Sequence, residues 1–589
     1  RPGSLASVET RYNRAETKTM SKGLKIPAFF KAKERLAEMR WVRRQVKITD
    51  GEGRVLEEIS DVEAPENWSQ QAVNIVARQY FRHSLSAGAP ERSVRALVHR
   101  VVSTIRKSGE AQGHFASRED AERFESELSF LMLSQRASFN SPVWFNCGLW
   151  HEYGETGAGG NWAWNKATGR AEQVANAFER RQVSACFIQS LNDSLSSIFE
   201  LVRNEARLFK YGSGTGTNFS NLRGRQESLA GGGRSSGLMS FLDVFDRAAG
   251  ATKSGGTTRR AAKMVCLDLD HPEIVDFVRW KAKEEAKAQV LIRAGFTGGM
   301  DGEAYRTVSG QNSNNSVRVT RDFLSRVQNN ESWSTRSRVD GSVVETFPAS
   351  QLWRSIAESA WICADPGVQY HDTIQDWHTC KQAGPIRASN PCSEYMFLDD
   401  TACNLASINL KSFFDREGHF DCDGFIHSVR LLILAQEILV DFASYPQAVI
   451  AERSHAFRPL GLGFANLGAL LMSLGFSYDE PEGRDWAAVL SALMGAASYR
   501  VSAEIAEARG AFSEFEQNRE SMLSVIEKHE FSARDFAERS TGGAREELWA
   551  LATTLWDEAL EQGRQFGFRN AQTTAIAPTG TIAFMMDCD

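Results

Sequence analysis

The sequence has no long apolar run. Its most apolar stretch, Leu431 to Ala443, is interrupted by Gln436, Glu437 and Asp441, whereas a membrane-spanning helix needs about 20 mostly apolar residues in succession. No transmembrane segment is expected, and no membrane partner. A basic excess is also missing: 68 Lys and Arg stand against 74 Asp and Glu, a formal charge of -6. Without a broad positive field, polymeric nucleic acid is excluded as a partner, and any anionic ligand must be gripped by a local site. The polar, basic N-terminus lacks the apolar core and small-residue cleavage site of a secretory signal, so the cytoplasm is the expected compartment. Cys-x-x-Cys pairs are absent too. The nine cysteines (147, 186, 266, 363, 380, 392, 403, 422 and 588) are scattered and odd in number, which excludes a disulfide scaffold and a structural zinc site. No metal site is expected. In a reducing compartment most such thiols are small buried hydrophobes, and only a thiol in an unusual chemical setting carries a functional argument.

What is present suits a large folded enzyme. The chain's 589 residues, 42% hydrophobic and 24% charged, can bury one big core with smaller elaborations. Residues 1–65 are polar and mixed in charge and read as an N-terminal extension. Residues 66–139 read as a helical region, from the helix-like apolar spacing in Trp68 to Phe81 and Ala96 to Ile105, continuing to Met132. Residues 140–589 alternate short apolar runs with amphipathic helices, as where Asn315 to Thr320 leads into Arg321 to Val327; this predicts an α/β architecture. Leu490, Leu493, Ala497 and Val501 form a helical stripe expected to pack on a sheet. The Gly- and Trp-rich stretch Gly148 to Ala171 reads as a surface insertion without a catalytic role.

Four segments carry more than composition. Asn390-Pro-Cys-Ser-Glu394 with Cys403 crowds two thiols, a carboxylate and an amide together, a grouping compatible with disulfide exchange, a nucleophilic cysteine or other sulfur chemistry beside a proton-transfer group. Ser184-Ala-Cys-Phe187 alone is an ordinary strand cysteine. Lys210-Tyr-Gly-Ser-Gly-Thr-Gly-Thr217 reads as a glycine-rich loop able to approach a ligand and aim N–H groups at an anion. It lacks the ending of a nucleotide P-loop and the strand-first setting of a dinucleotide fingerprint. Ala577-Pro-Thr-Gly-Thr-Ile-Ala583 follows a plausible strand, Thr573 to Ile576, and opens a helix, offering N–H groups and hydroxyls to a phosphate.

Together these motifs resemble those of ribonucleotide reductases, and the chain looks like the catalytic subunit of the adenosylcobalamin-dependent class II type. The resemblance runs from Trp68 to the last residue and includes Asn140-Ser-Pro142, Trp361 to Gly367 and Pro459-Leu-Gly-Leu-Gly-Phe464. The Pro-Thr-Gly-Thr-Ile form, and an N-terminus without an ATP-cone-like region, favour this type over the di-iron-dependent class I large subunit. A non-catalytic effector-binding paralogue is argued against by the retained cysteine set, and a glycyl-radical reductase by the missing glycine motif.

The resemblance implies a ten-stranded α/β barrel with a central finger loop carrying Cys392, which becomes a thiyl radical and takes the 3′ hydrogen of a ribonucleotide. It implies Glu394 as proton acceptor, Asn390 as a ribose-holding amide, and Cys186 with Cys403 as the reducing pair that ends as a disulfide. Substrate binding falls to Ser141, Ser184, Ala185, Gly214, Pro578, Thr579, Gly580, Thr581 and Ile582. A dNTP effector site at a homodimer interface falls to Asp193, Ser194, Lys210 and Arg223, with Lys253 in the relay loop Thr252 to Arg260. The implied partners are a ribonucleoside diphosphate or triphosphate and a thioredoxin-type reductant, in the service of DNA synthesis and repair. The remaining six cysteines match no catalytic position. The family continues past the phosphate motif to a tail with a cysteine pair, so a sequence running from Arg1 to Asp589 is expected to be a fragment with an incomplete barrel, or to be completed by a second polypeptide.

Overall fold

The computed structural model describes residues 23–49, 54–86, 88–252, 261–299, 302–415, 417–540 and 544–588. The helical region begins with α1 (Gln70–Gln79), α2 (Val94–Gln112) and α3 (Arg118–Leu133). Each starts at a serine, Ser69, Ser93 and Ser117, whose hydroxyl accepts the N–H three residues on and so satisfies one of the orphan donors of a first turn.

The segment expected as a polar extension is folded where it is described. Trp41–Thr49 and Val55–Pro65 form an antiparallel hairpin with Val46, Ile59, Val62 and Ala64 buried. Ahead of it, Ile26 N–H donates to Asp120 Oδ1 at 2.9 Å and Phe30 N–H to Glu127 Oε2 at 2.9 Å, tying the chain to α3. Mixed charge concealed the hairpin because an antiparallel pair keeps one face in water.

Eight strands build one sheet: β1 (Ala137–Phe139), β2 (Cys186–Gln189), β3 (Gly214–Asn218), β4 (Lys263–Asp268), β5 (Asn314–Val319), β6 (Gly367–Tyr370), β7 (Thr401–Asn409) and β8 (Leu460–Ala465). Their order is β6-β5-β4-β3-β2-β7-β8, with β1 also on β7. Strands β2 to β6 run parallel, joined by crossovers that carry the helices Leu195–Lys210, Leu238–Ala251, Ile274–Arg293 and Ala349–Cys363, as parallel pairing requires. A second parallel pair, β7 and β8, meets the first set antiparallel at β2. One edge of β7 is shared: Thr401 to Cys403 face β2 and Ala406 to Ile408 face β1. Residues 572–575 run beside β8 as an irregular ninth strand, with Leu462 N–H on Thr573 O at 2.9 Å and Ala575 N–H on Leu462 O at 3.0 Å. The expected α/β barrel sheet is thus present, as nine extended segments among the described residues.

Helices cover the outside. The stripe Leu490, Leu493, Ala497 and Val501 is buried, as expected; its helix, Pro481–Arg509, packs mainly on the helices Cys422–Phe442 and Ala544–Phe566 and reaches the ninth strand through Ser498, whose hydroxyl lies 2.8 Å from Thr573 Oγ1. The stretch from Gly148 to Ala171 is no mere surface insertion. Its strand Trp162–Asn165 exchanges hydrogen bonds with Tyr445 at 2.7 Å, and Trp164 stacks on His455 at 4.0 Å.

A buried ionic cluster roots the last segment. Glu437 accepts from Arg458 Nε at 2.8 Å, Arg569 Nε at 2.7 Å and Asn570 Nδ2 at 2.8 Å. Burial alone would raise the Glu437 carboxyl, but Arg458 and Arg569 outweigh it and hold the group below its ordinary range.

Four desolvated histidines, His114, His271 and His378 buried and His529 partly buried, make the fold acid-sensitive. Desolvation pulls His114 down to about 3 and His271, His378 and His529 to about 4, against an ordinary value near 6.5. Below about 6.5 the unfolded chain takes up protons that the folded chain refuses, so stability is lost as pH falls toward 4, by up to about 1.4 kcal/mol per pH unit for each histidine. The urea midpoint is expected to decline across this window. His529→Phe, which keeps a ring against Trp556, should show a shallower decline, and an unchanged slope would remove His529 from the account.

Candidate active site

After β6 the chain leaves the sheet and returns through a short ladder, Ala388–Ser389 against Met396–Phe397, before entering β7. Residues 390–395 form the tip of this finger. Its position depends on glycine in β3: a Cβ on Gly216 would lie 1.7 Å from Ser389 O, and one on Gly214 2.7 Å from Pro391 Cγ. Gly214 to Gly216 of the Gly-Ser-Gly-Thr-Gly run are therefore strand, and Gly216 admits a backbone, while Gly212 and Gly214 also face a cavity. Side chains on the strands grip the finger. Asn218 donates to Arg387 O at 3.0 Å, Arg318 to Ile386 O at 2.7 Å and Asn314 to Pro391 O at 2.8 Å.

Within the tip, Asn390 N–H donates to Tyr395 O at 3.1 Å, while Tyr395 N–H takes Asn390 Oδ1 at 2.9 Å. The Asn390 amide is thereby oriented, and its Nδ2 donates to Cys186 Sγ at 3.0 Å. Cys186 Sγ lies 3.5 Å from Glu394 Oε1, and Glu394 Oε2 is buried with no hydrogen-bond partner. Ser393, between Cys392 and Glu394, sits at a φ of 65°, a left-handed conformation that surroundings must stabilise.

The three expected cysteines occupy distinct settings. Cys186 and Cys403 are buried free thiols and direct register partners across the β2–β7 pair. Opposite residues in an antiparallel pair have Cα atoms about 4.5 to 5.5 Å apart, inside the range a disulfide spans. Burial, reinforced by Glu394, pushes both thiols well above their ordinary range. Cys392 is exposed.

Cys186, Cys392, Asn390 and Glu394 line a cavity of about 450 Å³, and Cys403 lies behind its wall. The finger supplies Asn390, Pro391, Cys392 and Glu394; the strand starts supply Ala185, Cys186 and Gly214; Ser141 and the turn Pro578 to Ile582 close it. Tyr80 and Ser141 share a hydrogen bond at 3.1 Å. Thr579, at a φ of 50°, precedes the helix Gly580–Met585, whose first N–H groups have no acceptor within the helix. Ser184 is not brought to the wall: it is buried, with its carbonyl accepting from Ser213 Oγ at 2.7 Å. Gln79, Leu405 and Ser407 line the cavity without having been expected. For the last two a signal existed, since Cys403, Leu405 and Ser407 alternate along one strand and share a face.

The expected effector residues divide. Arg223 Nε meets Asp193 Oδ2 at 2.5 Å, and beside them Ser194 caps the 16-residue helix that ends at Lys210. Lys210 therefore stands about 24 Å from Ser194 at the helical rise of 1.5 Å per residue, and does not join them within one chain. Lys253 and most of its loop lie outside the described residues. Among the described residues, no cluster of three or more His, Cys, Asp or Glu could hold a metal ion, and no helix is long and apolar enough to cross a membrane.

Comparison with known proteins accords with this geometry. Residues 184–589 match the family model described as ribonucleotide reductase, barrel domain, and the chain belongs to that family. Residues 42–135 match the model described as class II vitamin B12-dependent ribonucleotide reductase, which places the chain in the class II branch rather than the di-iron one. Relatives named vitamin B12-dependent ribonucleotide reductase include one from Rhodopirellula baltica, 48% identical over 93% of this chain and 53% of its own length. Another, from Streptomyces coelicolor, is 43% identical over 99% of this chain and 58% of its own length. A vitamin B12-dependent ribonucleoside-diphosphate reductase of Mycobacterium tuberculosis H37Rv is 30% identical over 88% and 59%. The chain spans about half the length of the curated relatives it matches.

Two measurements probe this geometry. Gly216→Ala should destabilise by about 3 kcal/mol or more, as overpacking against backbone does, whereas Gly468→Ala, with nothing within 4 Å of its Cβ, should be neutral or slightly stabilising; equal effects would refute the close approach. Mild diamide oxidation should link the Cys186 and Cys403 peptides, and a dominant Cys392–Cys403 product would contradict the register.

Proposed function

We propose that this chain carries the catalytic barrel of an enzyme that reduces ribonucleotides to 2′-deoxyribonucleotides by thiyl-radical chemistry. The carrying observation is the division of labour among three thiols: Cys392 exposed at the finger tip, and Cys186 and Cys403 buried as register partners beneath it. Adenosylcobalamin, when bound, would supply by homolysis of its carbon–cobalt bond an alkyl radical able to take the hydrogen atom of the Cys392 thiol, and an exposed sulfur at the cavity wall fits such an approach.

The Cys392 sulfur then takes the 3′ hydrogen atom of the ribose. Glu394, with one carboxylate oxygen unpartnered, accepts the 3′-hydroxyl proton. Asn390 Nδ2, held by its own backbone-bonded oxygen, hydrogen-bonds a ribose hydroxyl. The 2′-hydroxyl leaves as water with a proton from Cys186. Cys186 and Cys403 together give two electrons and two protons and end as a disulfide, Cys392 returns its hydrogen atom to C3′, and Glu394 returns its proton to the 3′ oxygen. Protonated thiols suit this step, and burial keeps both protonated. The turn Pro578 to Ile582 holds the substrate phosphates, fixing the ribose over Cys392 as positioning catalysis requires.

The substrate in this reading is a ribonucleoside diphosphate, and a thioredoxin-type protein renews the thiols. A dNTP effector sits by Asp193, Ser194 and Arg223, at a homodimer contact supported by the exposed Leu195 and Phe199 of the adjoining helix. In the full-length protein, cytidine diphosphate should be reduced with dithiothreitol only when adenosylcobalamin is added; cobalamin-independent turnover would sink the cofactor assignment. Cys392→Ser should abolish both product and exchange at the 3′ position, and Cys403→Ser should stop multiple turnover. Normal deoxynucleotide yield from Cys392→Ser would refute the radical role.

A further inference from the structure

We infer that Gln369 is a positioning residue for the radical thiol, a role that rests on the reading of Cys392 given above. Gln369 lies on β6 and is 3% exposed. Its Nε2 donates to Ser389 Oγ at 2.8 Å and to Ser393 Oγ at 3.3 Å. These serines flank the Asn390 to Cys392 turn, and their hydroxyls are 3.2 Å apart. One amide thus bridges the two ends of the segment that presents the sulfur.

The direction of that amide is fixed by chemistry. Arg318 Nη1 lies 3.1 Å from Gln369 Oε1, and a guanidinium can only donate, so the oxygen must face Arg318 and the NH₂ must face the serines. Arg318 is itself immobilised, 2% exposed, with Nη2 on Ile386 O at 2.7 Å and beside His371 Nδ1 at 2.9 Å. The finger is therefore held by one connected chain: Arg318 secures its entry at Ile386 and, through Gln369, its tip at Ser393. Ser393 occupies the left-handed region at a φ of 65° without being glycine. A hydroxyl partner that reaches it from the sheet supplies the outside constraint that such a conformation needs. Because Ser393 separates Cys392 from Glu394, its backbone sets the relative aim of sulfur and carboxylate.

The test uses the full-length protein, with Gln369→Leu and, separately, the single variant Ser393→Ala and the double variant Ser389→Ala/Ser393→Ala, which remove one or both of the Gln369 bonds without disturbing Arg318, the double variant also losing Ser389 Oγ on Asn390 O at 2.9 Å. Misplacement by about 1 Å costs on the order of 100-fold in rate, so kcat for nucleotide reduction should fall by about that factor while KM stays within about threefold, the pattern of an interaction realised in the transition state. Without cofactor or substrate, alkylation of Cys392 by iodoacetamide, read by peptide mass spectrometry, should accelerate severalfold in each variant. If Gln369→Leu fails to fold, the serine pair decides. Wild-type kcat and alkylation in the serine pair, with Cys392→Ser inactive, would overturn the clamp alone; an active Cys392→Ser would instead overturn the parent reading.

Discussion

The arrangement depends on one steric fact: the Ser389 carbonyl occupies the space that a side chain at residue 216 would fill. A sheet normally keeps other backbone at side-chain distance, about 10 Å between packed layers. Removing the side chain from Gly214 and Gly216 lets the finger lie directly on β3. That depth brings Asn390 and Glu394 within reach of a sulfur fixed on β2. A shallower finger would leave the same residues present in the sequence but out of contact.

Burial then decides what the sulfurs can do. A thiolate is the attacking species in disulfide exchange and in nucleophilic catalysis, yet Cys186 and Cys403 sit where charge is strongly disfavoured and beside a carboxylate. Burial therefore disfavours Cys186 and Cys403 as attacking thiolates in the reduced state, whereas the exposed Cys392 is untouched by that constraint. The same logic runs through the rest of the core. Where charge is buried without direct access to water, as at Glu437, Arg458 and Arg569, it is paired and hydrogen-bonded.

Legibility in the sequence followed the range of each interaction. Local signals carried well: the 315–320 strand leading into its helix, and the motif residues Cys392, Asn390 and Glu394, which the structure brings together with Cys186. Properties set by distant partners did not. The Gly212 to Gly216 run looked like an anion loop because the reason for Gly216, the Ser389 carbonyl, lies more than 170 residues away. Ser184 sits in a motif just before β2, yet it is buried, with its carbonyl taken by Ser213, and is not on the cavity wall. Lys210 and Asp193 are neighbours in sequence terms, but a straight helix holds them apart. Arg318, Asn314 and Gln369 gave no signal as finger supports, since each is an ordinary polar residue in a strand until the loop is seen lying across it.

The ionic root at Glu437 has a mechanical consequence. The last segment is clamped at Arg569 and Asn570, rests on β8 through residue 575, and from Ala577 projects past the sheet toward the cavity. It is a span held on both sides of the turn: beyond Ile582, Met585 O accepts from Gln135 Nε2 at 2.8 Å and Met586 O from Asn409 Nδ2 at 3.2 Å. A load on Pro578 to Ile582 is therefore shared between the ionic root at Glu437 and these far supports, and does not fall on the pairing of Cys186 with Cys403.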